Sequence, residues 1–203
     1  MHRPIYLMHI PKTGGTSLYF ALKDENIVYH GHDHILKHVR PSQLFKYWVV
    51  AFVRNPWDRL VSLFFYISKE TNPIHPYSKI KTNEYYAKYK GDFQLFIDDF
   101  AKGRVPYRNL YKPQVWHIRS TFHKQLPHFI GRFENLQKDF DYICNVTRIP
   151  NRKLPVTRTS KHKYYMDYYN ERSIKIVEKI YKEDIEAFGY GPGENSRYRG
   201  VCI

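Results

Sequence analysis

Short uncharged runs alternate along the chain with stretches whose apolar residues recur at helical spacing. Tyr6-Leu7-Met8-His9-Ile10 reads as a strand, turns through Pro11, Gly14 and Gly15, and enters a helical pattern from Thr16 through Leu22. Asn26 to His30 reads as a second strand and ends in His30-Gly31-His32-Asp33-His34. After a short helix or turn at Pro41 to Phe45, the run from Tyr47 to Val53 carries no charge, which suits a central parallel strand covered on both faces. Asn55 fits an N-cap, Pro56 the first helical position and Asp58 a near capping box, so a helix starts there. Trp57, Leu60, Val61, Phe64 and Phe65 give that helix a core side, and Arg59, Ser62 and Tyr66 cluster opposite.

Downstream the pattern loosens. Lys69 to Lys90 reads as a basic insertion, Asp92 to Phe100 as a helix, and Gly103 to Gln125 as irregular to weakly helical, so that 69–125 forms an acceptor-side insertion. His128 to Phe133 reads as a strand and Glu134 to Val146 as a helix. A basic loop follows from Pro150 to Lys163, and then one long helix runs from Asn170 to Phe188 until Gly189 stops it. Residues 190–203 read as a loose tail. Strands alternating with helices predict an α/β fold with a parallel sheet wrapped by helices, in a single domain over 1–203. Ligands of such sheets sit beyond the carboxyl ends of the strands. Lys12, His30 to His34, Arg54 and Phe133 all follow strands in that way.

Composition narrows the partners only partly. The chain is 42% hydrophobic and 26% charged, a globular balance. Its 33 Lys and Arg against 19 Asp and Glu give a formal charge of +14, a field that draws in polyanions: nucleic acid, acidic glycan, anionic membrane or phosphorylated cofactor. The two cysteines, Cys144 and Cys202, make neither a disulfide framework nor a zinc site. No apolar run approaches a membrane span, and the first strand begins too close to Met1 for a signal peptide, so a soluble, cytoplasmic protein is expected.

The first turn carries the chemistry. A strand, a glycine-rich turn and a helix start aim backbone N–H groups and a helix dipole at one point, where an anion belongs. Gly14 and Gly15 would let the backbone approach a bulky oxyanion, Lys12 adds a charge, and Thr13, Thr16 and Ser17 offer hydroxyls. The order differs from a Walker loop, because the lysine precedes the glycines. The same glycines also suit a plain tight connection. Arg54 and Ser62 form a second candidate anion site at the next helix start, which Arg59 either joins or leaves for an acid elsewhere. Their alternative is a salt bridge and a surface hydroxyl. His30, His32 and His34 admit metal ligation, a catalytic base, or solvated side chains near a turn.

His9-Ile10-Pro11-Lys12-Thr13-Gly14-Gly15-Thr16-Ser17 and Val53-Arg54-Asn55-Pro56-Trp57-Asp58-Arg59-Leu60-Val61-Ser62 resemble the two cofactor motifs of sulfotransferases that use 3′-phosphoadenosine 5′-phosphosulfate. Gly131 to Leu136 resembles a third segment of that family, and Ala187-Phe188-Gly189-Tyr190 its carboxyl end. The subgroup resembled is the carbohydrate sulfotransferases of the heparan sulfate 2-O type. The resemblance implies a P-loop-NTPase-like three-layer sandwich and transfer of a sulfuryl group to an acceptor hydroxyl on an acidic or neutral glycan. The product nucleotide would be adenosine 3′,5′-bisphosphate, and no metal takes part.

Residue by residue, Lys12 and the turn through Thr13, Gly14, Gly15, Thr16 and Ser17 would bind the 5′-phosphosulfate, and Arg54 and Ser62 the 3′-phosphate. Phe133 would lie against adenine, the loop with Ser160, Lys161 and Lys163 would close over the nucleotide, and His32 would be the base with His30 beside it. No membrane anchor like that of Golgi members is expected in this chain and its acceptor region reads as short, so acceptor identity does not carry over. Two rivals stand beside this reading. A P-loop kinase using ATP needs a magnesium-binding acid after a strand, and none is evident. A basic nucleic-acid-binding module would rest on the charge and the 19 tyrosines alone.

Overall fold

The computed structural model describes residues 3–68, 87–105, 107–120, 125–156, 162–193 and 201–202. Most of the basic insertion from Lys69 to Lys90, and Ser160 and Lys161 in the basic loop, lie outside these residues. Five strands form one sheet: β1 (Ile5–Met8), β2 (Ile27–Val28), β3 (Trp48–Val53), β4 (Phe129–Arg132) and β5 (Val201–Cys202), in the order β2-β1-β3-β4-β5. The first four are parallel, and β5 runs antiparallel to β4. The tail expected to be loose therefore contributes a strand, with Cys202 opposite Phe129 and Val201 opposite Ile130.

Alternation within the strands divides the core in two. Ile5, Leu7, Val50, Phe52 and Phe129 face α1 (Gly15–Leu22), through Leu18, Ala21 and Leu22. In the same cluster lie Phe140, Ile143 and Cys144 of a helix that follows β4. Tyr6, Met8, Val49, Ala51, Val53 and Ile130 face the other way, against α2 (Pro56–Ile67) and α3 (Phe93–Ala101). Successive strand residues point to opposite faces, so a run such as Val49 to Val53 must be apolar throughout to serve both layers. Three layers result: helices, parallel sheet, helices. Further helices among the described residues include α4 (Gln114–Ile118), α5 (Leu136–Thr147), α6 (Glu171–Ile180) and α7 (Lys182–Phe188). Among the described residues, no helix is long and apolar enough to cross a membrane.

Two helix readings change. The long carboxyl-terminal helix is broken at Tyr181 (φ −106°, ψ 24°), whose buried ring is anchored by its hydroxyl donating to the Tyr111 carbonyl at 2.7 Å. The side of α2 expected to look outward is interior as well, since Arg59 and Ser62 are both buried. At its start Asn55 is the N-cap, accepting from the Trp57 N–H at 3.0 Å, but Asp58 completes no capping box and turns to Arg54 instead.

The strand order places a switch point between β1 and β3. The chain leaves β1 toward β2 on one side and returns past it to β3 on the other. A crevice opens where such connections diverge, beyond the carboxyl ends of the two strands. Lys12 and Arg54 stand there.

Candidate functional site

Beyond β1 the backbone turns sharply, with Lys12 at φ 69° and Gly14 at φ 83°, both left-handed. Gly14 is the N-cap of α1 and has no side chain to offer, so it makes no side-chain cap to the first N–H groups of that helix. Two arginines of the next connection grip the turn from one side. Arg54 Nη1 donates to the Lys12 carbonyl at 3.2 Å, and Arg59 Nε donates to the Pro11 carbonyl at 3.0 Å. In a trans peptide the N–H points opposite to the carbonyl, so the N–H groups of Lys12 and Thr13 face away from the arginines.

The structure thus brings the Lys12 turn and Arg54 into contact. Arg54 is buried and makes a bidentate pair with Asp58, Nε to Oδ2 at 2.8 Å and Nη2 to Oδ1 at 2.7 Å. Three of its five N–H donors are engaged in this way, which leaves two for a ligand. Its guanidinium lies 3.9 Å from the centre of the Phe133 ring. Phe133 also borders Gly14, where an added Cβ would come within 3.3 Å of its ring and 2.9 Å of Leu136. Loop, arginine and aromatic ring form one patch. Ser62 is buried on α2, two turns on from the arginine.

Arg59 pairs with no acid among the described residues. Its other two nitrogens donate to the carbonyls of Lys112, at 3.0 Å, and Leu110, at 3.2 Å. It ties the segment before α4 to the first turn through backbone acceptors. Thr13 is also turned inward: it is buried, and its hydroxyl donates to the Ile10 carbonyl at 2.9 Å, so any part in anion binding falls to its backbone. Lys12 Nζ sits 4.3 Å from the centre of the Tyr66 ring. Lys163 is exposed, its N–H donating to the Tyr168 hydroxyl at 3.1 Å.

The glycine pair has packing reasons of its own. Gly14 needs the left-handed backbone. Gly15 does not, but a Cβ there would fall 2.0 Å from Cδ2 and 2.3 Å from Nε2 of His9. The space beside the second glycine is filled by an imidazole. Gly15→Ala is therefore expected to destabilise the fold by about 1–3 kcal/mol, the usual cost of overpacking. Urea denaturation of the two proteins measures it.

The histidines after β2 separate. His34 caps a short 3₁₀ turn, its Nδ1 accepting from the Leu36 N–H at 3.2 Å, which leaves Nε2 to donate to the Arg119 carbonyl at 2.9 Å. With both nitrogens occupied structurally, His34 is not available as a base. His30 stacks on His38, ring centres 4.0 Å apart, and its pKa is lowered by desolvation and then by His38. His32 is exposed, and its ring centre lies 4.3 Å from that of His9. Among the described residues, no three His, Cys, Asp or Glu side chains are grouped to hold a metal ion.

Side chains and a carbonyl from later in the chain fix the Arg54-Asn55 segment. Arg54 N–H donates to Gln114 Oε1 at 2.8 Å, and Gln114 Nε2 returns to the Arg54 carbonyl at 2.9 Å. Buried Asp184 accepts from the N–H groups of Gln114, at 2.8 Å, and Val115, at 2.9 Å, and so holds the start of α4. Burial raises its pKa. Glu134 accepts from the Asn55 N–H at 2.7 Å and from the Tyr190 hydroxyl at 3.0 Å. Asn55 Nδ2 donates to the Gly191 carbonyl at 3.0 Å. Glu134 and Tyr190 fall within the segments that resemble the family, but none of these partners shows its structural task in the sequence. A side-chain acid that serves a distant backbone N–H leaves no local pattern to read.

His117 of α4 is buried, and its pKa is pushed down to about 2 by desolvation and then by Arg59, His32, His34 and Lys112. The unfolded chain takes up this proton near pH ~6.5. The stability His117 contributes is thus complete above that value and is lost as pH falls, by about 2.7 kcal/mol at pH ~4.5. Asp184 acts in the opposite sense, because its raised pKa favours the folded state as pH falls. The His117→Leu variant isolates the histidine: urea unfolding from pH 7 to 4.5 should show a loss about 2.5 kcal/mol smaller than in the wild-type chain.

The family model that matches this chain, over residues 2–191, is described as that of the sulfotransferase family. No curated protein matches the chain.

Proposed function

Because the chain belongs to the sulfotransferase family and is an enzyme of sulfuryl transfer, we propose that its donor is 3′-phosphoadenosine 5′-phosphosulfate and its acceptor a carbohydrate hydroxyl, with His32 as the base. The contact between Arg54 and the Lys12 turn carries this reading, since it joins two anion-binding elements at the switch point of the sheet. The residues present fit the donor: helix-start amides and Lys12 for the phosphosulfate, the two remaining Arg54 donors and Ser62 for the 3′-phosphate, and Phe133 for adenine. Ser160, Lys161 and Lys163 are proposed to cover the nucleotide.

Bound, the donor supplies an activated sulfuryl group and a phosphate that can leave. The chain's own residues do the rest. His32, exposed beside the first turn, takes the proton of the acceptor hydroxyl as its oxygen bonds to sulfur. Lys12 and the loop amides hold the charge that the breaking sulfur–oxygen bond leaves on the phosphate. Positioning and electrostatics supply the rate, as in phosphoryl transfer.

Calorimetric titrations with adenosine 3′,5′-bisphosphate, ATP and a single-stranded oligonucleotide test the nucleotide. The bisphosphate should bind at least about ten-fold more tightly than ATP, without magnesium, a gap of roughly 1.4 kcal/mol. Preference for ATP, or tight and steeply salt-dependent oligonucleotide binding, sinks the reading. Transfer of labelled sulfate to dextran, alginate, chondroitin and small alcohols identifies the acceptor class.

A further inference from the structure

His9 belongs to the opening motif, yet the mechanism above gives it no task. Its ring is buried at the end of β1 and held on three sides. Nδ1 lies 2.5 Å from the Tyr29 hydroxyl, a hydrogen bond that fixes the rotation of the ring. Tyr29 is itself stacked on Tyr19 of α1, ring centres 4.6 Å apart and planes 28° from parallel. On a second side, the bare Cα of Gly15 leaves room for the imidazole that any side chain would remove. On the third, the ring meets His32 at 4.3 Å between centres and 59° between planes.

This is a chain of rings, Tyr19, Tyr29, His9 and His32, that runs from the first helix through the ends of two strands to an exposed histidine. Its inner members are fixed by packing and hydrogen bonding, whereas His32 sits on a short turn beside Gly31 (φ 60°), where an added Cβ would meet nothing within 4 Å. His9, the buried neighbour, meets the exposed ring of His32.

We propose that His9 is the positioning residue for His32: ring contact with His9, whose orientation Tyr29 sets, holds the His32 imidazole where it meets the acceptor hydroxyl beside the Lys12 turn. The inference rests on the reading of His32 as the base. It also gives the second glycine of the turn a purpose in the reaction, because Gly15 makes the space in which His9 lies.

The test compares His9→Gln, Tyr29→Phe, His32→Ala and the double variant His9→Gln/His32→Ala, with whichever acceptor of the panel above the wild-type chain sulfates. His9→Gln should lower kcat by about 10- to 100-fold, as a misplaced group does. Tyr29→Phe removes one hydroxyl and should lower kcat less, in the same direction. Both should keep the donor KM and the affinity for adenosine 3′,5′-bisphosphate within about two-fold of wild type, a split that general damage to the turn would not produce. Added to His32→Ala, the His9 change should cost nothing further, because its effect passes through His32.

In a ring-selective nitrogen spectrum, the His32 signals, identified by their loss in His32→Ala, should shift or broaden in Tyr29→Phe. Wild-type kcat in His9→Gln, loss of nucleotide affinity along with kcat, or losses that multiply in the double variant would each overturn the proposal. If His32→Ala transfers sulfate undiminished, the base reading itself is wrong. If His32→Ala is inactive while His9→Gln is normal, only the positioning role falls.

Discussion

His32→Ala should lose about 10²- to 10⁴-fold in sulfuryl transfer, the range that a positioned acid or base supplies, while adenosine 3′,5′-bisphosphate binds as before. The separation follows from where the residue stands. His32 lies after β2, exposed, and its ring meets His9, whereas the Lys12 turn and Arg54, proposed to hold the nucleotide's anionic groups, sit at the ends of β1 and β3. On that reading, removing the imidazole takes away the proton acceptor and leaves the residues proposed for both phosphate groups in place. A single-turnover assay paired with calorimetry measures both quantities. Undiminished transfer, or nucleotide affinity lost together with activity, contradicts the assignment.

Lys12→Met should reduce kcat by about 10²- to 10³-fold, the cost of removing one donor aimed at developing charge, and weaken nucleotide binding far less. Methionine is the informative replacement. It keeps an unbranched stem that can lie over Tyr66, where Lys12 Nζ sits 4.3 Å from the ring centre, and removes the charge alone. The left-handed backbone at φ 69° is a small strain shared by both residues, so it does not enter the comparison. Equal losses in affinity and in kcat would mean that Lys12 holds the ground state and does not act on the leaving phosphate.

The sheet was legible because its signal is local. An apolar run such as Val49 to Val53 cannot be exposed on either side, and each turn that follows a strand announces itself through proline, glycine or a capping residue. The Lys12 turn and Arg54 could be read for the same reason. The functions of Arg59, Thr13 and Gly15 could not, because their partners are backbone carbonyls or a ring on another element. A sequence shows which side chains are present and conceals which main-chain atoms they will meet. The break at Tyr181 was hidden by apolar spacing that continues straight across it, although a buried tyrosine tied to Tyr111 decides the geometry. β5 was invisible because two paired residues make no periodic pattern.

The Arg54-Asn55 segment depends on contacts from the far end of the chain: Asp184 through Gln114, Tyr190 through Glu134, and the carbonyl of Gly191. On the ribosome, β1, β3 and the turns that follow them emerge long before those residues do. A nascent chain can lay down the centre of its sheet early, but the corner proposed to hold the nucleotide lacks these contacts until residues 184–191 have left the exit tunnel. On the reading proposed above, the donor can be held only once Asp184, Tyr190 and Gly191 have reached their partners.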